Sequence, residues 1–324
     1  MNKNPYASEQ SKRQIHWLAT SETLPFEARA GGTYTDRAGK EHGPLPLFLP
    51  LDLVAHNLLP DVRHGALALF AELGIPWHDG VDGGPSNHLR DSQVQCANAL
   101  FRMVDEPHRI KRAFGHALDI AKVLPIEGER FLTFEYIGPI DYFDEGKGAP
   151  RVRGARCTSV DAAFRYRTSR GDVEVALVEW KYTESYLDGH PRTGSDETRR
   201  QRYEADFLHA EGPVRSDVVA FTAMLHEPFY QLMRQQMLAH RLEQEGVEGA
   251  TAVRVLHVLS PANVGYEASL PLPEHRSVGS SVSEVWHTLL RRPDRFVTVD
   301  PAVFLHGEIT SPEYVERYGH TDTA

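Results

Sequence analysis

Thr158–Tyr182, TSVDAAFRYRTSRGDVEVALVEWKY, is the stretch whose reading decides the fold. Val160 to Thr168 is rich in β-branched and aromatic residues, Ser169-Arg170-Gly171-Asp172 is a turn cluster, and Val173 to Tyr182 resumes the strand pattern. The stretch therefore predicts a hairpin. Three charges interrupt its apolar strands: Asp161 in the first, Glu179 and Lys181 in the second. Such charges at a strand end cost several kcal/mol, as an order of magnitude, unless they are paired or bind a metal. Side chains alternate along a strand, so Glu179 and Lys181 share one face while Val178, Trp180 and Tyr182 share the other. The hairpin would bring Asp161 beside the charged face. Two carboxylates and a lysine converging there point to a divalent-metal site.

Upstream, residues 1 to about 60 are punctuated by proline and glycine and predict extended segments and turns. Asp61 before the apolar run Val62–Leu73, with Gly74 after it, predicts a capped helix. The Gly-rich loop PWHDGVDGGPSNHLRDSQ, flanked by His78 and His88, is either a plain surface loop or a cover over a site. Helical spacing predicts helices over Asp91–Val104 and Pro107–Lys122, and Arg130–Ile137 reads as a strand. Asp141–Arg156 reads as a loop leading into the hairpin. Downstream, Glu197–Leu208 predicts a charged helix, and Glu227-Pro228 opens a helix running to Glu245 with Gly246 as its stop. Thr251–Leu259 predicts a buried strand, and the tail adds a helix at Val282–Leu290 and a short strand at Phe296–Val299. The core order is helix, strand, strand, strand, helix, strand, which implies a mixed sheet with helices on both faces.

With 324 residues, 41% of them hydrophobic, the chain can bury a full core. Met1–Gln14 lacks the apolar run of a signal peptide, and the most apolar segment, Leu45–Pro60, is broken by Pro46, Pro50 and Asp52, so no membrane span is expected. Two cysteines, Cys96 and Cys157, are too few for a disulfide framework or a structural zinc site; a reducing, cytoplasmic setting is expected. The net charge of −10 argues against indiscriminate binding to polyanions. Residues 151–202 nevertheless hold eleven Lys and Arg against eight Asp and Glu, among them Arg151, Arg153, Arg156, Arg170, Arg192 and Arg202. That surplus is either an ordinary solvated face or a local phosphate track.

Asp161 in one strand followed by Glu179-Trp180-Lys181 at the end of the next resembles the signature of the PD-(D/E)xK nuclease superfamily, with Val160 where the usual proline stands. The wider run VEWKYTESY is similar to restriction-endonuclease-like proteins of that superfamily. The resemblance implies a three-layer α/β/α core of αβββαβ order over residues 91–262, with wrapped N-terminal (1–90) and C-terminal (263–324) extensions. It implies Mg2+, with Mn2+ as a substitute, held by the Asp161 and Glu179 carboxylates and the Trp180 carbonyl, with Lys181 orienting the attacking water or neutralising the phosphoryl oxygens. Glu135 is either a third acid or an exposed strand glutamate. Gln231 and Gln235, four apart on one helical face, are candidates to approach the site, with Gln93 and Gln95 behind them. Arg165, Arg167, Arg199 and Arg200 are the candidate DNA contacts. The implied partner is DNA, and cutting a duplex favours a homodimer by symmetry.

The E-x-K triplet alone decides little: Glu145-Gly146-Lys147 repeats it in a glycine-rich loop. A surface salt bridge on an edge strand, pairing Lys181 with Glu179 or Glu184, is the structural alternative. His226-Glu227 is followed by Pro-Phe-Tyr, so no H-E-x-x-H zinc motif forms, and no G-x-S-x-G occurs. Two functional rivals stay open. One is an inactive nuclease-fold module that binds nucleic acid or protein; the other is a metal-independent hydrolase with a pocket near His78 and His88.

Overall fold

The computed structural model describes residues 4–36, 38–155, 157–187 and 196–319. It opens on a helix, α1 (Pro5–Thr20), where the sequence reading expects extended segments. Its buried stripe is Gln10, Gln14, Trp17 and Leu18, so two glutamines hide the apolar period. Asn4 caps it, its side-chain oxygen accepting the Tyr6 N–H at 3.1 Å. A two-stranded hairpin follows, β1 (Gly32–Thr35) and β2 (Glu41–Leu45). Helix α2 (Pro60–Leu73) ends at Gly74 in the left-handed conformation as expected, but Leu59 and not Asp61 occupies its N-cap, because Pro60 is pre-organised for the first helical position.

Helix α3 (Ser92–Leu100) is capped by Asp91, whose carboxylate accepts the Val94 N–H at 2.8 Å. Helix α4 (Pro107–Phe114) stops at Gly115, short of the expected Lys122, and the chain reverses so that Lys122–Leu124 forms strand β3. Then come β4 (Leu132–Tyr136), β5 (Val160–Arg167), β6 (Val173–Trp180), α5 (Asp196–Leu208), α6 (Phe229–Gln244), β7 (Ala252–Val258) and β8 (Phe296–Val299).

Six strands form one mixed sheet. β3 and β4 both pair antiparallel with β5, β5 pairs antiparallel with β6, and β6, β7 and β8 run parallel. The tail strand Phe296–Val299 thus completes the sheet beside β7. Alternation on β6 divides two cores. Ala176, Val178 and Trp180 face one that contains Phe70, Leu100 and Phe114. Val175 and Leu177 face another that contains Tyr203 of α5 and Met233 and Leu238 of α6. Helices therefore cover both sheet faces, a three-layer α/β/α arrangement.

The chain ends are tied by Arg317. Its buried guanidinium donates to Gln14 Oε1 (2.9 Å), to the Asn57 carbonyl and Oδ1 (both 2.6 Å) and to the Leu89 carbonyl (3.1 Å). It also lies 4.1 Å from the Trp17 ring centroid. Among the described residues no helix is long and apolar enough to cross a membrane.

Candidate active site

The site begins where the hairpin comes apart. The β5–β6 ladder runs from Arg167↔Val173 to Ala162↔Val178. One residue further, the Asp161 side chain takes the place of a backbone partner, and its Oδ2 accepts the Trp180 N–H at 2.6 Å. Strand β6 meanwhile stays paired with β7, Glu179 opposite His257 and Trp180 opposite Val258. β6 is thus a central strand, and Glu179 and Lys181 are only 3% and 5% exposed. That removes the surface-salt-bridge reading, since neither an edge strand nor a solvated pair is present.

Lys181 Nζ donates to Glu179 Oε1 at 2.7 Å and to Gln231 Oε1 at 2.6 Å. Gln235 donates its amide to the other oxygen, Glu179 Oε2. Both glutamines therefore reach the site from α6, as their four-residue spacing predicts. Glu135 is buried, contrary to the exposed-strand alternative. It sits at φ 47°, a distortion of β4, and accepts from Gln93 (3.0 Å) and Ser159 (2.9 Å). Gly154, at φ 68°, backs its carboxylate; a Cβ there would lie 3.2 Å from it. Gln95 acts one step back, accepting the Trp180 indole N–H at 2.9 Å and fixing that ring.

These groups open on a cleft of about 910 Å³ lined by Glu135, Asp161, Glu179, Trp180, Lys181 and Gln231, with Glu184 and Tyr186 beside them. Burial, then Glu179 and Glu135, push the Asp161 pKa well above the usual carboxylate range. Burial also raises Glu135. Burial works against the Lys181 ammonium, but Glu179, with Tyr186 and Glu184, holds its pKa above the ordinary lysine value. Glu179 pairs with the Lys181 ammonium, and its charge and that of Glu135 raise Asp161, a repulsion that a hard cation would relieve. Asp161 and Glu179 keep acceptor capacity, because each carboxylate oxygen has two lone pairs. Among the described residues no three His, Cys, Asp or Glu side chains converge as a ready-made cage, so waters would complete such a shell.

Two more acids lie near Lys181: Glu184, foreseen only as a surface salt-bridge partner, and Glu227, which sequence reasoning missed. Glu184 accepts the Tyr182 N–H at 2.6 Å, and Glu227 caps Gln231 at 3.3 Å with its pKa raised by burial. Each lies within a few residues of a quoted motif, but no periodicity marks it. The Gly-rich loop does border the cleft through Trp77, His78 and Asp79. His88 is instead packed edge-on against Phe48, and burial lowers its pKa to about 4.

The candidate DNA-contacting arginines divide. Arg165 and Arg167 stand at the turn end of β5, four and six residues from Asp161, or roughly 13–20 Å along the strand. Arg165 binds Glu248 and Arg167 binds the Gly171 carbonyl. On α5, Arg199 pairs with Asp196 and lies over Tyr230, while Arg200 pairs with Glu204 and lies over Phe221. Arg156 and Arg192 fall outside the described residues.

A mixed α/β/α sheet thus carries an acid, an acid and a lysine that meet at a parted strand end. Residues 20–319 match the REase-ARP family, described as restriction endonuclease associating with ARP, and the chain belongs to that family. No curated protein and no solved structure matches the chain.

Proposed function

We propose that the chain is a Mg2+-dependent nuclease of the PD-(D/E)xK type that hydrolyses DNA phosphodiester bonds. The observation that carries this reading is the convergence of Asp161, Glu179 and Lys181 at the parted end of β5 and β6, on the floor of an open cleft. The surplus of buried carboxylate over cation fits a hard divalent ion, which Asp161 and Glu179 would hold with the Trp180 carbonyl. Bound there, Mg2+ would polarise the phosphodiester and acidify the attacking water.

The remaining work falls to the chain itself. Lys181, kept protonated by Glu179 and aimed by Gln231, would offset charge growing on the phosphoryl oxygens. Gln235 holds the Glu179 carboxylate in its rotamer, and Glu135 adds a third negative group to the floor. Cutting both strands of a duplex favours a symmetric dimer. The family's description names association with ARP, so ARP is the partner this reading carries over to the chain.

The test is cleavage of plasmid and linear DNA with Mg2+ or Mn2+ and with EDTA. Metal-dependent cutting lost in Asp161→Ala and Lys181→Ala is the expected outcome. Cutting at the wild-type rate by either variant would refute the reading. A folded wild type that neither binds Mg2+ nor cuts would leave a non-enzymatic scaffold.

A further inference from the structure

Two hollows of opposite charge lie beside the cleft at the candidate centre. Toward the β1–β2 hairpin the cleft runs into a hollow of about 1090 Å³, sharing His78, Asp79, Arg90 and Glu184 with it. Six carboxylates line that hollow, Asp36, Glu41, Asp79, Asp82, Asp91 and Glu184, against a single arginine, Arg90. A polyanionic strand entering it would meet like charge throughout.

The first turns of α6, which give Gln231 to the cleft, also line a separate hollow of about 480 Å³ with Glu145, Cys157, Arg202, Tyr203, Tyr230 and Arg234. The two sites abut. Tyr230 and Arg234 flank Gln231, the partner of Lys181, within one helical turn, about 5.4 Å of axial rise. Arg234 Nε donates to Thr158 Oγ1 at 3.0 Å, and the next residue, Ser159, donates to Glu135.

The basic hollow is also pre-arranged. The Arg199 and Arg234 guanidiniums lie 4.9 and 5.3 Å from the Tyr230 ring centroid. Glu145 ties Arg234 (3.1 Å) and accepts from the Tyr203 hydroxyl. Arg202 gives one N–H to the Glu145 carbonyl at 3.0 Å and has no carboxylate partner among the described residues. An arginine carries five donors in a planar fork suited to phosphate.

Building on the nuclease reading above, we propose that the DNA strand leaves the candidate centre across the Arg202–Tyr230–Arg234 hollow and not through the larger acidic one. Arg202 is the principal phosphate contact, Arg234 the second, and Tyr230 positions the guanidiniums on either side of it in sequence.

The experiment titrates the full-length protein against fluorescent single-stranded and duplex DNA across a salt series, with Ca2+ supplied as the hard cation, and measures Mg2+-dependent cleavage in parallel. Arg202→Ala is expected to weaken binding roughly 5–10-fold and to lower the salt slope by roughly 0.7–0.9, the worth of one phosphate contact. Arg202→Lys should keep most of that slope, and Glu41→Lys in the acidic hollow should leave it unchanged. An Arg202→Ala protein with wild-type affinity and slope, or a Glu41→Lys protein whose slope rises by about one contact, would overturn the path. If the wild type still cleaves in that case, the path falls and the nuclease reading stands. A wild type that neither binds nor cleaves DNA would remove the nuclease reading and the path with it.

Discussion

Replacing Asp161 with asparagine should make the metal-free protein more stable while abolishing its response to Mg2+. The asparagine oxygen can still accept the Trp180 N–H that Asp161 Oδ2 accepts at 2.6 Å, so the change removes a charge and little else. Burial, Glu179 and Glu135 raise the Asp161 pKa in the folded protein. The stabilising effect of its proton is therefore complete below the unfolded value, about 4, and is lost as pH rises through the folded one. The cost that the wild type carries therefore grows with pH from almost none at pH 4 and levels off once the folded value is passed. Like charges about 5 Å apart at an effective dielectric near 20 repel by about 3 kcal/mol. Asp161 is half-buried and opens on the cleft, so solvent screening reduces that to about 1–2 kcal/mol. For a chain of this size the gain corresponds to a melting point about 2–6 °C higher in EDTA at pH 8, shrinking toward zero at pH 4. Mg2+ should raise the wild-type melting point and leave the Asp161→Asn protein unmoved. Circular-dichroism melts at both pH values, with and without Mg2+, measure this. An Asp161→Asn protein melting at or below wild type in EDTA at pH 8, or shifted equally by Mg2+, would refute the reasoning.

Glu135→Gln should lower the cleavage rate roughly 10-fold or more while leaving the melting point at or above wild type, because it removes charge beside the cation site and keeps the Gln93 and Ser159 contacts; an unchanged rate in a single-turnover assay would confine Glu135 to structure. Trp180→Phe deletes the indole N–H that Gln95 accepts at 2.9 Å and leaves a buried carbonyl without a donor, so urea unfolding should show a loss of about 1–3 kcal/mol. Arg317→Ala strips donors from Gln14, Asn57 and Leu89 at once, and the urea midpoint should fall by the equivalent of about 3–5 kcal/mol with an unchanged slope.

The hairpin, its acid–acid–lysine pattern and the two α6 glutamines were legible in the sequence because each is local: strand alternation and helical spacing bind near neighbours to one face. Glu135 was legible as a candidate acid but not as a buried one, since its partners Gln93 and Ser159 stand 42 and 24 positions away. Nor could a single strand reveal that β6 lies inside the sheet, because its neighbour β7 begins some seventy residues later. Helix α1 stayed hidden behind buried glutamines. Strand β3 was absorbed into a helical pattern that Gly115 ends. Charge counting found the arginine-rich region but could not separate Arg165, at the far end of β5, from Arg202, beside α6.

The central claim is that Asp161 and Glu179 together hold a divalent cation next to Lys181. Crystals soaked in Mn2+ and measured for anomalous scattering test it most directly. One strong peak is expected between the Asp161 and Glu179 carboxylates, absent from Asp161→Asn crystals. A saturating soak that leaves those two carboxylates without a peak, or that places the ion elsewhere in the cleft, would contradict it.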